Sequence, residues 1–213
     1  MENNRKIFSD LLTELKIESG VLERFELYHS LLVEANERVN LISRQTDPEE
    51  IWTRHFYDSL LPLVCGFELR DKVILDLGSG GGLPGIPLAI TNPAATVYLM
   101  DSRGKKVNEL KIIIKKLDLK NCYPIYKRLE EFRIKELGKE AAGRSGFDVT
   151  VCRSVKITPQ LLRIMKDFLK PEGYILLYKG REMEETFLLQ AAKENFLFRK
   201  PWRETNILKI EKV

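Results

Sequence analysis

Apolar and polar residues alternate along this chain in two different patterns. Up to residue 66 the apolar positions recur three or four residues apart, which predicts amphipathic helices. The two clearest stripes consist of Ile7, Leu11, Leu12 and Leu15, and then of Leu22, Phe25, Leu27, Leu31, Leu32 and Ala35. Residues 1–66 are therefore expected to form a helical N-terminal cap.

A further helix start is indicated by Asp47-Pro48-Glu49-Glu50. A carboxylate at the N-cap, proline at the first helical position and acids in the first turn all favour a helix that begins here. This helix would bury Ile51, Trp52, Phe56, Leu60 and Leu61.

Beyond Lys72 short apolar runs alternate with helical stretches. Strands are predicted at 73–77, 96–100, 122–126, 147–152 and 174–178, and helices at 85–90, 104–117 and 159–169. Such alternation predicts an α/β fold with parallel strands and helices on both faces of the sheet. A last helix near 184–195 and strands near 196–202 and 206–210 predict a C-terminal hairpin. Residues 67–213 are expected to pack with the cap as one globular unit.

Composition narrows the class of protein. Hydrophobic residues make up 44% and charged residues 31% of the chain, as in a soluble globular protein with a substantial core. No run of about 18 apolar residues predicts a membrane span, and the first residues lack an apolar signal region, so a cytoplasmic location is expected. Cys65, Cys122 and Cys152 lack metal-ligand spacing, and no metal site is expected.

Positive charge is concentrated in one segment. The net charge is only +4, yet seven basic residues lie between 103 and 120: Arg103, Lys105, Lys106, Lys111, Lys115, Lys116 and Lys120. The predicted core stripe of this helix (Val107, Leu110, Ile113, Ile114 and Leu117) would leave the lysines outward. The segment, here called the basic ridge, would suit a polyanion such as nucleic acid, or form an ordinary solvated helix face.

A glycine-rich turn follows the first predicted strand. Gly78, Gly80 and Gly82 lack side chains where the chain passes from strand to helix, so that backbone could approach a ligand closely. The dinucleotide-binding fingerprint fails, because Leu83 occupies its last glycine position. Asp76 followed by Gly-x-Gly-x-Gly resembles motif I of methyltransferases that use S-adenosylmethionine, although a plain turn remains the alternative.

Further candidates follow the other strands. Asp101 ends the second strand, where a carboxylate could accept both ribose hydroxyls or cap the next helix. Leu129 and Glu130 follow the third strand and could reach an adenine edge, although Glu130 could equally be a surface acid. Arg153 follows the buried fourth strand, where a core role is hard to assign.

These segments together resemble one family, the small-subunit ribosomal RNA guanine-N7 methyltransferases, also called glucose-inhibited division protein B. The resemblance covers about residues 36–180 and rests on NLIS, RHFYDSL, LDLGSGGGLPGIP, LMDSRGKKV, RLEEF, FDVTVCRSV and YKG. It implies a Rossmann-like class I methyltransferase sheet behind the cap, S-adenosyl-L-methionine as cofactor and 16S ribosomal RNA or the small ribosomal subunit as partner. The expected reaction is methyl transfer to N7 of a guanine.

The resemblance also assigns residues. It implies cofactor contacts at Gly78, Leu83, Leu129, Glu130 and Arg153, with Asp101 as the ribose partner. Departures are small: Cys152-Arg153-Ser154 stands where Ser-Arg-Ala is usual, and Ser79 and Gly81 replace the commoner Thr and Ala or Pro.

Guanine N7 has an in-plane lone pair and no proton, so its methylation needs no general base. The candidates for holding the base or reacting groups are Asn40, Arg54, His55, Arg153 and Lys179. His55 could instead be a structural histidine, and Lys179 a strand-end lysine. The alternative functions are a non-catalytic RNA-binding module, a methyltransferase of another substrate, and a nicotinamide-dependent dehydrogenase, which Leu83 disfavours.

Overall fold

A layer of helices precedes the sheet. The computed structural model describes residues 3–18, 20–136, 146–180 and 185–212. Helices α1 (Asn4–Glu14) and α2 (Val21–Arg38) carry the predicted stripes, most of which are buried. Ile7, Leu15 and Leu22 are only partly buried, and Leu27 is exposed. The side chain of Asn3 accepts a hydrogen bond from the Arg5 N–H and so caps α1.

The helix predicted to begin at Asp47 is broken into three pieces. The Asp47 carboxylate accepts the Glu49 N–H at 2.9 Å as predicted, but the turn Pro48–Glu50 is a 3₁₀ helix. A π-helical turn follows at Trp52–Tyr57, and α3 spans Leu61–Val64. Proline at 62 is tolerated only near a helix start, which explains why a new helix begins just before it. The predicted start is confirmed and the five predicted apolar residues are buried, but the segment is not one regular α-helix.

Seven strands form a single sheet in the order β3-β2-β1-β4-β5-β7-β6. The first five strands are parallel, and β7 is antiparallel to both β5 and β6. The strands are β1 (Val73–Leu77), β2 (Thr96–Asp101), β3 (Cys122–Tyr126), β4 (Phe147–Arg153), β5 (Leu169–Lys179), β6 (Glu194–Lys200) and β7 (Arg203–Glu211). The predicted α/β class and C-terminal hairpin are confirmed.

Helices cover both faces of the sheet, because alternate strand residues point to opposite sides. On one face Ile74, Val97 and Val149 pack with the helical cap, α4 (Gly85–Thr91) and α5 (Gly104–Lys116). On the other face Leu75, Tyr98 and Ile175 pack with α6 (Pro159–Asp167) and α7 (Thr186–Ala191). The cap therefore shares one apolar core with the sheet, while the exact division at residue 66 stays a prediction.

The largest differences from the predicted boundaries occur at the start of β5 and at the end of α7. Strand β5 begins at Leu169 rather than at 174, since Leu169 pairs with Phe147 across the sheet. The helix expected near 184–195 is only α7, because residues from Glu194 onward pair with β7; position 184 lies outside the described residues. In the described part of the chain, no helix combines the length and apolar character needed to cross a membrane.

Candidate functional site

A cavity of about 620 Å³ lies at the carboxyl ends of β1, β2 and β4. The chain continues from β1 to β2 on one side, whereas β4 lies on the other side of β1, so this is the switch point where open α/β sheets bind ligands. Its walls come from the glycine turn, the ends of β2 and β4, and residues 127–130 after β3. Residues 40–43 of the cap complete it.

The glycine turn forms the floor of this cavity. Gly78 has a φ of +75°, and a Cβ there would lie 2.4 Å from Cγ2 of Val155, so that only glycine fits. The Gly78 and Ser79 N–H groups donate to the Met100 carbonyl at 2.8 and 3.1 Å, which joins the turn to the end of β2. Gly80 and Leu83 also line the cavity.

Gly82 is placed differently from the prediction. It does not line the cavity, and a Cβ on it would lie 2.4 Å from Cδ1 of Ile86 and 3.2 Å from Leu110. Glycine is needed here so that the turn can pack against α4 and α5. The structure therefore assigns Gly82 to packing rather than to close approach of a ligand.

Asp101 is buried in the cavity wall. Its Oδ2 accepts the Gly80 N–H at 3.1 Å and its Oδ1 accepts the Arg103 N–H at 2.8 Å. It does not cap α5 directly, since Arg103 occupies the N-cap position. A carboxylate has about four acceptor positions, so the oriented Asp101 can still accept two hydroxyl donors. Leu129 and Glu130 lie across the same cavity.

Asp76, the acid of the glycine motif, lies beneath the turn. Its Oδ2 accepts the Gly85 N–H at 2.8 Å, while Oδ1 has no hydrogen-bond partner within the described residues. Burial raises the pKa of this carboxyl to about 7 from its ordinary value of 3.8. Asp76 therefore positions the start of α4 and does not itself line the cavity.

Arg153 reaches the cavity from the end of β4 and is held by the cap. Its guanidinium donates to the Arg54 carbonyl at 3.5 Å and contacts Nδ1 of His55 at 3.1 Å. Because a guanidinium only donates, His55 must accept with Nδ1 and carry its proton on Nε2. Burial, and then the charge of Arg153, lower the pKa of His55 to about 3. The histidine is therefore neutral and orients a buried cation.

Asp58 balances this group of positive charges. Its carboxylate is buried, accepts from Thr205 Oγ1 at 3.5 Å and lies 3.6 Å from the Arg203 guanidinium. Burial raises the pKa of Asp58, whereas the charges of Arg153 and Arg203 lower it. The RHFYDSL segment thus supplies an acceptor, a neutral imidazole and a countercharge around Arg153.

Two other predicted site residues do not line the cavity. The Lys179 ammonium forms an ion pair with Glu185 at 2.8 Å, with only 13% and 17% of the two side chains exposed. The Arg54 side chain points away and pairs with Glu50 at 3.1 Å, so that only its carbonyl serves the site. By contrast, Asn40 and His55 line the cavity together with Arg153. The roles of all these residues stay predictions.

Several residues that line the cavity were not predicted as site residues, and the most informative of them is a lysine. Lys106 was predicted to face outward with the basic ridge, yet only 8% of it is exposed and it lines the cavity beside Gly80. Its position four residues before Leu110 places it on the buried face of α5, which is the signal that identifies it. The core stripe from Val107 to Leu117 is buried as predicted.

The fold has many solved counterparts. Magnesium protoporphyrin IX methyltransferase from Synechocystis PCC 6803, solved with bound SAM, aligns at a TM-score of 0.59 with 15% identity, covering 100% of this chain and 99% of that one. Precorrin-6y C5,15-methyltransferase from Geobacter metallireducens aligns at a TM-score of 0.55 with 15% identity, covering 80% of this chain and 92% of that one. At such identities the similarity defines the fold, that of the class I methyltransferases.

Sequence comparison then identifies the family. The profile described as rRNA small subunit methyltransferase G matches residues 21–207. Curated relatives of that name include one from Desulfitobacterium hafniense, 39% identical over 80% of this chain and 68% of its own length. Another, from Streptococcus pneumoniae, is 33% identical over 92% of this chain and 81% of its own length. This chain belongs to the rRNA small subunit methyltransferase G family.

Proposed function

We propose that this protein transfers a methyl group from S-adenosylmethionine to N7 of a guanine in the 16S ribosomal RNA of the small subunit. The observation that carries the proposal is the cavity at the switch point, where the glycine turn, Asp101 and Arg153 converge. The names of its relatives support the ribosomal RNA substrate, and the Synechocystis structure, which contains SAM, supports the cofactor.

The residues present fit the cofactor. A Cβ at Gly78 would clash with Val155, so the floor is bare backbone. Asp101 retains acceptor positions for ribose hydroxyls after receiving two N–H groups. Leu129 offers an apolar wall and Glu130 a carboxylate for the adenine end, and the buried Arg153 offers a cation for an anionic group. When bound, S-adenosylmethionine would supply an electrophilic methyl group on a sulfonium.

The chain's own part in catalysis is alignment. Guanine N7 needs no deprotonation, so a site without a general base is sufficient. Holding the acceptor in line can contribute about 7–11 kcal/mol to lowering the barrier. His55 remains neutral because its pKa is about 3, so it orients Arg153 rather than exchanging protons with solvent near neutral pH.

Methyl incorporation tests the proposal. Purified protein, radiolabelled S-adenosylmethionine and either naked 16S ribosomal RNA or small subunits should yield label at one guanine. Reduction followed by aniline cleavage, which is selective for N7-methylguanine, should break the RNA at that position. Labelled RNA that this treatment does not cleave at the labelled nucleotide would refute the N7 assignment, and cofactor-independent RNA binding without label would favour a non-catalytic binding module.

Cofactor binding is tested separately by calorimetry with S-adenosylhomocysteine. We expect saturable binding that Asp101→Ala weakens strongly. Absence of heat and of any thermal shift at millimolar ligand would remove the cofactor and with it the methyltransferase proposal.

A further inference from the structure

A cationic surface borders the mouth of the cavity where β2 and β3 end. We call this surface the rim and define it as Arg103, Lys106, Tyr126, Lys127 and Arg128. All of these except Tyr126 line the cavity itself. The rim lies on neighbouring strand ends, since Asp101 and Tyr126 are paired in the sheet.

Lys106 is an ammonium group held without a partner. It is 8% exposed, and none of the residues that the structure describes gives it a hydrogen bond or an ion pair. Burial first, and then the charge of Arg103, lower its pKa, whereas Asp101 raises it. The buried Asp101 carboxylate lies 3.7 Å from the Arg103 guanidinium and offsets one of these two neighbouring positive charges, so the remaining positive charge favours a further anion. Lys106 also lies in the first turn of α5, where the helix dipole favours negative charge.

Tyr126 is an exposed aromatic residue beside these cations. Of its surface 62% is exposed, the largest such fraction among the exposed large apolar residues in the described part of the chain. The ring packs against the backbone of Gly104, where a Cβ would approach it to 3.3 Å. Glycine therefore lets the ring lie on the start of α5. The opposite face of an exposed ring in this position can stack with a base.

We propose that the rim binds single-stranded RNA beside the target nucleotide. Lys106 and Arg103 bind a backbone phosphate, and Tyr126 stacks on an unpaired base. The inference rests on the proposed function for the identity of the RNA, but the binding itself does not require methyl transfer. The rim combines a phosphate-binding group with an aromatic side chain on which a base can stack, the two elements by which proteins bind single-stranded nucleic acid.

The outer part of the basic ridge is a poorer candidate. Lys116 lies 3.8 Å from Glu34, and Lys120 pairs with Asp118. Part of the ridge charge is thus already balanced by carboxylates. The ridge lysines therefore provide a control within the same helix.

Fluorescence anisotropy with a labelled single-stranded RNA of roughly 12 nucleotides measures the binding. Tyr126→Ala should weaken the Kd about 5- to 150-fold, whereas Tyr126→Phe, which keeps the ring, should bind like wild type. Arg103→Gln with Lys106→Gln should lower the slope of log K against log salt by about 1.4, that is about 0.7 for each cation removed. If Lys106 is replaced by Arg instead of Gln in the Arg103→Gln variant, the positive charge is kept, and the slope of log K against log salt should fall by only about 0.7.

The matched control is the triple variant Lys111→Gln, Lys115→Gln and Lys116→Gln. The rim is refuted if this variant lowers the salt slope while the Arg103 and Lys106 variant does not, or if Tyr126→Ala binds like wild type. Equal binding of a duplex of the same length would also contradict stacking on an unpaired base. Thermal unfolding checks that each variant is folded, and Tyr126→Ala, at an exposed site, keeps the test open if Lys106→Gln fails to fold.

Failure of the rim and failure of the proposed function give different results. If wild type incorporates no methyl group but rim variants lose RNA affinity, the rim stands and the enzymatic proposal falls. If wild type methylates ribosomal RNA and the rim variants bind RNA as wild type does, the rim is wrong and the enzymatic proposal stands.

Discussion

Replacing Asp76 by Asn should change how stability depends on pH. The folded carboxyl has a pKa of about 7, against an ordinary value of 3.8. Between these two pH values the folded protein keeps a proton that the unfolded chain has released. The contribution of Asp76 to the free energy of unfolding is therefore most favourable below pH 3.8, and it falls as the pH rises towards about 7. The difference in pKa corresponds to about 4 kcal/mol at pH 8.

The Asn variant does not ionise, and its amide oxygen can still accept the Gly85 N–H. The free energy of unfolding of Asp76→Asn, relative to wild type, should therefore rise by about 4 kcal/mol between pH 4 and pH 8. Urea denaturation of both proteins across that range measures it.

A matched control is Asp71→Asn, at a carboxylate whose side chain is 78% exposed. The same chemical change there should leave the pH dependence of stability as in wild type. If the free energy of unfolding depended on pH in the same way for wild type and Asp76→Asn, the reasoning would be refuted. The buried carboxyl would then ionise at no cost in stability.

Three further predictions concern the site. Asp101→Ala should weaken S-adenosylhomocysteine binding about 10- to 100-fold, because it removes charge-assisted hydrogen bonds. Calorimetry measures the Kd, and an unchanged Kd would contradict this prediction. Tyr28→Phe removes the hydroxyl that donates to the Gly81 carbonyl at 2.6 Å and should cost about 1–3 kcal/mol in urea denaturation; a loss near zero would show that water satisfies the carbonyl. Because the pKa of His55 is about 3, the rate of methyl transfer between pH 5.5 and 8 should show no inflection from this imidazole. An inflection near pH 6.5 that His55→Gln abolishes would contradict the fixed neutral state.

The parallel strands were predictable because strands buried on both faces need apolar residues at nearly every position. The start of β5 was not predictable from the sequence. Lys170-Pro171-Glu172-Gly173 has the composition of a loop. It is extended because Lys170 pairs with Asp148 at 2.8 Å and Leu169 pairs with Phe147, contacts that no local pattern contains.

The site was predictable to the extent that parallel strands end at one edge. That rule brought Gly78, Asp101, Leu129 and Arg153 to a common cavity. It could not place the cap, whose residues reach the cavity through packing of the helices on the sheet. The π-helical turn is an example, since the Arg54 carbonyl turns towards Arg153 only in the folded protein.

The hydrogen bond from Tyr28 to Gly81 links the middle of α2 to the glycine turn. A displacement of that helix by even a fraction of an ångström would be transmitted to the cavity floor. Substitutions in the helical layer, remote from any bound molecule, can therefore alter turnover without touching a reacting group. Loss of activity in this protein should then map to two separate regions of its sequence, one of them far from the glycine motif.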